Sequence, residues 1–479
     1  MEPPSIPDDA FAAIAIADAK YEEADLPQVV SQQVHLSTPQ RNELYRILLE
    51  NKALFSGKLG TYPHKEFHLA LKPDAKPFHS KPYAVPRIHL ETFKKELDRL
   101  VKIGVLQPTG ASLRAAGTFI IPKKDGTVRW VTDFRQLNKH IARLQYPLPK
   151  IQQIIQDQKP YKFFTKIDVS MQYYTFRLDK ESSELCTIVT PFGKYRYTSL
   201  PMGVCQSSDF AQATMEDILR GMSNVTVYID DIKITHSTWE EHIACVKEVL
   251  QRLRINGFTV NPSKCNWCVA ETDFLGFWFT PTGPKPWRKK IDAILAMSPP
   301  TNRTEVRAFC GAITFYRDMF RRRSTILSPI TKLASKNVPF VWGPEQQKAF
   351  ETMKALIAED VLLQYPDPKQ PFDIHPDASD VQLGSVIKQN NRPVAYYSRK
   401  LTKCQARYTT IEKELLSIVE TFHTFRSFLY GAKINVYTDH KNLTFDVPNT
   451  NSRVLRWRLI IEDFHPTFFY FLVKTLSKE

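Results

Sequence analysis

Residues 224–236 read NVTVYIDDIKITH, two short alternating runs on either side of adjacent acids. Val225 and Val227 alternate with other residues before the pair, and Ile232 and Ile234 do so after it, which is the period of a half-buried strand. With Ile229 and Asp230 as a two-residue loop, Val227 falls opposite Ile232, Val225 opposite Ile234 and Tyr228 opposite Asp231. Asp230 and Asp231 then stand at the tip. Such loops favour Asn-Gly or similar pairs with φ > 0, and a β-branched Ile is strained there, so something other than turn comfort selects these residues. An Asp-Asp pair alone is more often a solvated turn than a site; its surroundings decide.

Beyond the hairpin, STWEEH (237–242) offers a capping box. The helix after it repeats Ile243, Val246, Val249, Leu250 and Leu253 and closes at Gly257. Before the hairpin, YKFFTKIDVSMQYYTFRL (161–178) reads as a buried strand interrupted by Asp168. An unpaired carboxylate there is costly and calls for a cation or another partner. Three acids together make chemical sense because Mg²⁺ takes oxygen ligands, and a two-metal centre clamps the attacking and leaving oxygens of a phosphoryl transfer. Further upstream, GTFIIPKKDGTVRWVTDF (117–134) predicts two strands around Asp125-Gly126. Lys124 and Arg129 flank that turn and could hold a triphosphate by charge and forked hydrogen bonds. Alone, they suit an ordinary solvated hairpin.

The whole chain has 479 residues, a net charge of +15 and 43% hydrophobic residues. That allows about three domains and points to a polyanionic partner. Residues 1–35 are acidic, Ala-rich and Pro-containing, and are expected to be a disordered tail. Residues 36–285 mix strand and helix signals, residues 286–368 are mainly helical, and residues 369–479 return to strands around one long helix; the class is α+β or α/β multidomain. The N-terminus lacks a basic signal region, and no apolar stretch approaches the ~18 residues of a membrane span. The expectation is an intracellular protein, not secreted and without a membrane partner. Seven cysteines without framework spacing fit free thiols, and CNWC (265–268) without a second pair reads as structure, not a metal site.

In order along the chain stand KPY (81–83), KKDG (123–126), DFRQLNK (133–139), YPLP (146–149), FFTKIDV (163–169), LPMG (200–203), YIDD (228–231), WEEH (239–242), NPSKC (261–265), FLG (274–276), VPFVW (338–342), DAS (377–379) and TDHKNL (438–443). This series resembles the reverse transcriptases of LTR retrotransposons, most closely the gypsy type, over about residues 36–460. The resemblance implies a right-hand polymerase with fingers and palm in 36–285, a thumb or connection in 286–368 and an RNase H-like domain in 369–479. Asp168, Asp230 and Asp231 would bind two Mg²⁺, with Mn²⁺ as a possible substitute. Lys124, Arg129 and Met202 would line the nucleotide pocket, Tyr173 would fill the space of a ribose 2′-hydroxyl, and Phe274, Leu275 and Gly276 would grip the primer end.

In the RNase H-like domain the resemblance implies a second metal site at Asp377, Asp439 and a glutamate. On a helical wheel Glu412 and Glu414 flank the apolar stripe almost symmetrically; the family pattern of Glu followed by Leu favours Glu414. The implied partners are an RNA template, a DNA primer and product, RNA/DNA hybrid and dNTPs, with dimerisation possible and with protease and integrase in the parent element. Cytoplasmic virus-like particles or the nucleus are the implied locations.

Three departures from the family point to an altered nucleotide pocket: LRAAG (113–117) in place of Trp-Ala-Ser-Pro, Gln172 in place of Gly, and Ser208 in place of Pro. No Asp follows Asp463, so the domain is expected to be truncated at its C-terminus, with weak RNase H activity. An inactive remnant that only binds nucleic acid is the alternative reading.

Overall fold

The computed structural model describes residues 23–122, 128–359, 361–440 and 452–470. It contains two compact units, one of Met1–Pro149 with Lys162–Val269, the other of Lys150–Tyr161 with Ala270–Glu479.

In the first unit the opening stretch folds as its alternation predicts. Strands Val225–Tyr228 and Asp231–His236 pair antiparallel, with Val225 opposite Ile234, Val227 opposite Ile232 and Tyr228 opposite Asp231. Strand Phe163–Asp168 adds to the far side of Asp231–His236, and Asn266–Val269 completes a four-stranded sheet. Because Asp231–His236 is an inner strand, Lys233 and Thr235 are buried along with the two isoleucines, where alternation alone predicts one wet face. Helix Trp239–Ile255 buries the anticipated Ile243, Val246, Val249, Leu250 and Leu253, and also His242. Gly257 follows it at φ 71°, where a Cβ would run into the Thr61 carbonyl. The expected capping box is not made: the Thr238 hydroxyl donates to the Glu241 carboxylate at 2.9 Å, and no side chain caps the backbone.

The same unit holds a five-stranded sheet, in the order Leu106–Pro108, Gly193–Tyr197, Thr187–Thr190, Ala116–Pro122 and Val128–Thr132. The last two strands are the pair anticipated on either side of Asp125-Gly126, a turn outside the described residues. The KPY and DFR motifs meet beside it. Tyr83 donates to Asp133 at 2.9 Å, and the Arg135 guanidinium grips both oxygens of that carboxylate at 2.8 and 2.7 Å. These bonds hold the Asp133 carboxyl down at about 2.

The expected tail needs correction over its last residues. Leu26–Ser31 is a helix capped by Asp25, and Leu26, Val29 and Val30 are buried in the core of this unit. One short helix offers only three apolar contacts at i, i+3 and i+4, too brief a pattern to stand out from an Ala-rich surround.

In the second unit a five-stranded sheet runs Arg392–Lys400, Gln382–Gln389, Phe372–Ala378, Ile434–Thr438 and Thr467–Tyr470, antiparallel through the first three strands and parallel through the last three. Helix Thr410–Thr424 packs Leu415, Ile418, Val419 and Phe422 into its core. The helices of 286–368 are not a body apart. Arg323–Lys332 is tied to this sheet by the Ser324 amide and hydroxyl, which donate to the Ser398 hydroxyl and carbonyl at 2.9 Å each. Among the described residues no helix is long and apolar enough to cross a membrane.

Candidate active sites

Sheet register places the polymerase-type acids. Asp168 ends its strand directly opposite Asp231, and Asp230, the second loop residue, accepts a bond from the Val169 amide through its carbonyl at 3.1 Å. All three carboxylates thus emerge at one end of one sheet. The strain anticipated in the loop is present: Ile229 sits at φ 57°, in the left-handed region, which costs roughly 1–2 kcal/mol for an L-residue with a Cβ. Two glutamines hold it there. Gln212 accepts from the Ile229 amide at 2.7 Å and donates to the Val227 carbonyl at 3.0 Å, while Gln172 donates to the Ile229 carbonyl at 2.9 Å. Burial raises the pKa of Asp168; Lys264 and Lys166 oppose that rise, and the charge of Asp230 adds to it. Lys166 also reaches Asp231 at 3.8 Å. An all-oxygen donor set with a partly desolvated carboxylate suits a hard divalent cation.

The other pocket residues anticipated in this unit are found as follows. Tyr173 lies in the short helix Gln172–Thr175, and its hydroxyl meets the Ser208 hydroxyl at 3.1 Å. Met202 is exposed. Arg129 is exposed on its strand, opposite Ile121. Lys124 lies outside the described residues.

In the second unit FLG closes a hairpin: Phe274 is fully buried opposite Phe277, and Leu275 and Gly276 form the turn at φ 49° and 82°. Positive φ at both central residues is the twist that two-residue hairpin loops require. The Gly276 carbonyl accepts from the Tyr316 hydroxyl at 2.6 Å.

The RNase H-type acids are gathered unevenly. Glu414 is 5% exposed; one oxygen accepts from the Ala378 amide at 3.0 Å and the other, Oε2, is buried with no hydrogen-bond partner. Burial lifts its carboxyl to about 7. Ligand atoms of Glu414, Asp439 and His440 all lie within 4.8 Å of one another, a grouping found nowhere else among the described residues. Asp377, next to Ala378, turns instead to Arg322 at 3.2 Å. Glu412 does separate work: it forms a capping box with Thr409, at 2.9 and 3.3 Å. The spacing Thr-x-x-Glu in TTIEKE (409–414) carries that signal in sequence and would have chosen between the two glutamates. His440 and Arg322 were not anticipated from sequence, because no short-range pattern ties either to a carboxylate distant in the chain. The orphaned oxygen of Glu414 beside two further ligands fits a divalent cation.

Comparison with known proteins agrees with this geometry. Residues 121–279 match the family described as reverse transcriptase (RNA-dependent DNA polymerase), and residues 367–464 match the RNase H-like domain found in reverse transcriptase. The chain thus carries a reverse transcriptase domain followed by an RNase H-like domain. It is 31% identical to the transposon Tf2-3 polyprotein of Schizosaccharomyces pombe over 396 residues, covering 80% of this chain and 30% of that polyprotein. The Tf2-7 polyprotein of the same yeast is 30% identical over the same length. The chain thus spans less than a third of the length of these relatives. Its fold is similar to that of foamy viral protease-reverse transcriptase dRH in complex with double-stranded DNA, with a TM-score of 0.86 and 22% identity, covering 96% of this chain and 83% of that one. The foamy viral protease-reverse transcriptase in complex with RNA/DNA hybrid gives a TM-score of 0.80 at 22% identity, over 95% and 64% of the two chains. Reverse transcriptase and RNase H-like domains use divalent metals.

Proposed function

We propose that this chain copies RNA and DNA templates into DNA at Asp168, Asp230 and Asp231, and that its second unit cuts RNA paired with DNA at Glu414, Asp439 and Asp377. The observation that carries the reading is the register that sets Asp168 opposite Asp231 beside the loop residue Asp230. The cofactor is two Mg²⁺ per site, with Mn²⁺ as a substitute. Bound there, such ions lower the pKa of the attacking hydroxyl and stabilise charge on the transferring phosphoryl group.

The chain's own residues supply the rest. Asp168 and Asp231 offer oxygens from two paired strands, so the spacing of their backbones is set by the pairing. Asp230 offers its own from a turn that Gln172 and Gln212 keep from relaxing. Arg129 and Lys124 steer the triphosphate by charge, Met202 lies against the incoming nucleotide and the Tyr173 ring occupies the space beside C2′ of the sugar. Phe274, Leu275 and Gly276 present a rigid hairpin tip to the primer. In the second unit the buried Glu414 and the neighbouring Asp439 hold the cation, with His440 alongside.

Template and primer are RNA/DNA or DNA duplexes, held by a chain of net charge +15 largely through their phosphates. The test is extension of a DNA primer on an RNA template by the purified chain with Mg²⁺. Template-dependent DNA synthesis that stops on chelation is the expected result; binding without synthesis would favour the inactive remnant.

A further inference from the structure

Two residues that depart from the family, Gln172 and Ser208, belong to one closed circuit of hydrogen bonds. Gln172 and Tyr173 are adjacent in the helix Gln172–Thr175, which the chain enters through Met171 at φ 50°. Gln172 donates to the Ile229 carbonyl of the catalytic turn at 2.9 Å, and Tyr173 meets the Ser208 hydroxyl at 3.1 Å. Ser208 and Gln212 are four residues apart on the helix Ser207–Ile218, so they share one face of it. Gln212 closes the circuit by bonding the Ile229 amide at 2.7 Å. That helix is itself anchored, since Ser207 donates to the Pro201 carbonyl at 2.9 Å and Arg143 grips the buried Asp209 at 2.7 Å.

A Tyr ring turns on two side-chain torsions, and packing alone leaves its hydroxyl end free to swing within a well. A bond to a hydroxyl on a fixed helix removes that freedom. Pro at position 208 has neither a side-chain hydroxyl nor a backbone donor, so a chain with Pro there holds its aromatic by packing alone.

We infer that Ser208 is a specificity-determining positioning residue: through its bond to Tyr173 it fixes the ring beside C2′ of the incoming sugar and ties ribose exclusion to the helix that also holds the catalytic turn. Ser208 does not touch the nucleotide; it acts through Tyr173. The inference rests on the polymerase reading and on Tyr173 as the residue that excludes the 2′-hydroxyl.

The experiment is single-nucleotide insertion by the full chain, with a deoxynucleotide and the matching ribonucleotide compared by kcat/KM. Ser208→Ala is expected to lower the preference for deoxynucleotide roughly three- to tenfold, the range expected for loss of one hydrogen bond, through faster ribonucleotide insertion while deoxynucleotide kcat/KM stays within about twofold. Tyr173→Phe, which keeps the ring and loses the hydroxyl, should lower the preference for deoxynucleotide by a similar factor, and the double substitution should lower that preference no further. Ser208→Thr should keep the wild-type preference, a rescue that a general packing role would not produce.

If Ser208→Ala and Tyr173→Phe both discriminate like the parent while Tyr173→Val admits ribonucleotides, the tether is overturned and Tyr173 keeps its role. If Tyr173→Val also discriminates normally, the ring is not the barrier and the inference fails with it. A parent chain that inserts no deoxynucleotide at all overturns the polymerase reading, and this inference with it.

Discussion

The two carboxylate centres are held by different means. In the first unit the acids ride on paired strands and a strained turn, and the groups that hold the turn are neutral amides, Gln172 and Gln212. In the second unit the acids are held largely by charge and burial: Asp377 faces Arg322, Asp439 bonds His440 at 2.7 Å, and Glu414 is sunk in the core with one oxygen unpartnered. The two glutamines that hold the first turn neither titrate nor are screened, so the turn itself answers little to pH or salt, although Asp168 beside it is partly desolvated and Lys166 lies 3.8 Å from Asp231. A centre set by ion pairs and a desolvated acid is sensitive to both.

The sharpest way to break this comparison is to disable one centre and read both. Asp231→Asn should reduce primer extension by roughly 10³-fold or more, about 4 kcal/mol of barrier, and leave RNA cleavage in a hybrid unchanged. Glu414→Gln should do the reverse. Gel assays of both activities on the same preparations check it; one substitution that silences both would mean that the centres are not independent.

Opposite pH responses give the next test. His242 is buried in the first unit, with Nε2 2.7 Å from the Thr165 hydroxyl, and burial followed by the charge of His236 pushes its pKa down to about 3. The folded state refuses a proton that the unfolded chain accepts near 6.5, so this stabilisation is full above pH 6.5 and is lost as pH falls towards 3. Glu414 runs the other way. Its folded value of about 7 lies above the ordinary glutamate value of 4.5, so in the metal-free chain its ionisation opposes folding, with no penalty below about pH 4.5 and the full penalty above 7. Each effect is of the order of 3–5 kcal/mol. Hydrogen exchange followed segment by segment in chelator should show the palm strands weakening towards acid and the strands around Glu414 weakening towards alkali. His242→Gln and Glu414→Gln should flatten the respective trends.

Removing a prop is a smaller perturbation than removing an acid. Gln212→Ala frees both the Ile229 amide and the Val227 carbonyl, and deoxynucleotide kcat should fall about tenfold, equivalent to one or two buried hydrogen bonds. Smallest of all is Arg322→Ala. The Arg322–Asp377 pair is exposed, at 68% and 52% of the two side chains, and such pairs are worth about 0–1 kcal/mol. Its loss should raise the Mn²⁺ affinity of the second centre less than about fivefold by calorimetry, in a background of Asp231→Asn that reduces binding at the first.

The contrast also explains what was legible in sequence. The first centre depends on period-two alternation and a two-residue loop, both local, so Val225, Ile234 and the strain at Ile229 were all readable along thirteen residues. The props are not local: Gln172 and Gln212 reach the turn from 57 and 17 residues away, and no spacing rule foretells that. The strand Gln382–Gln389 is hard to read from sequence because Gly384 and Ser385 interrupt its apolar run, though it lies inside the sheet. Glu414 was legible only through family pattern, although its neighbour's capping box would have settled the matter. The pairing of Asp377 with Arg322 depends on tertiary packing between a helix terminus and a strand, and composition shows only that arginines are abundant there.

The strand carrying Asp168 has one more consequence, for how the protein is made. Its neighbours in the sheet are residues 231–236 and 266–269, both synthesised after it. The acidic hairpin pairs within itself and can close in microseconds, but the strand beside it has to wait for about seventy further residues before that hairpin is made and about a hundred before its other neighbour is. At 5–20 residues per second that is a delay of several seconds or more, during which Phe163, Phe164 and Ile167 lie on a strand with at least one unmatched edge. A nascent chain at that stage is a natural client for a chaperone, and its polymerase centre is completed only when translation has passed Val269.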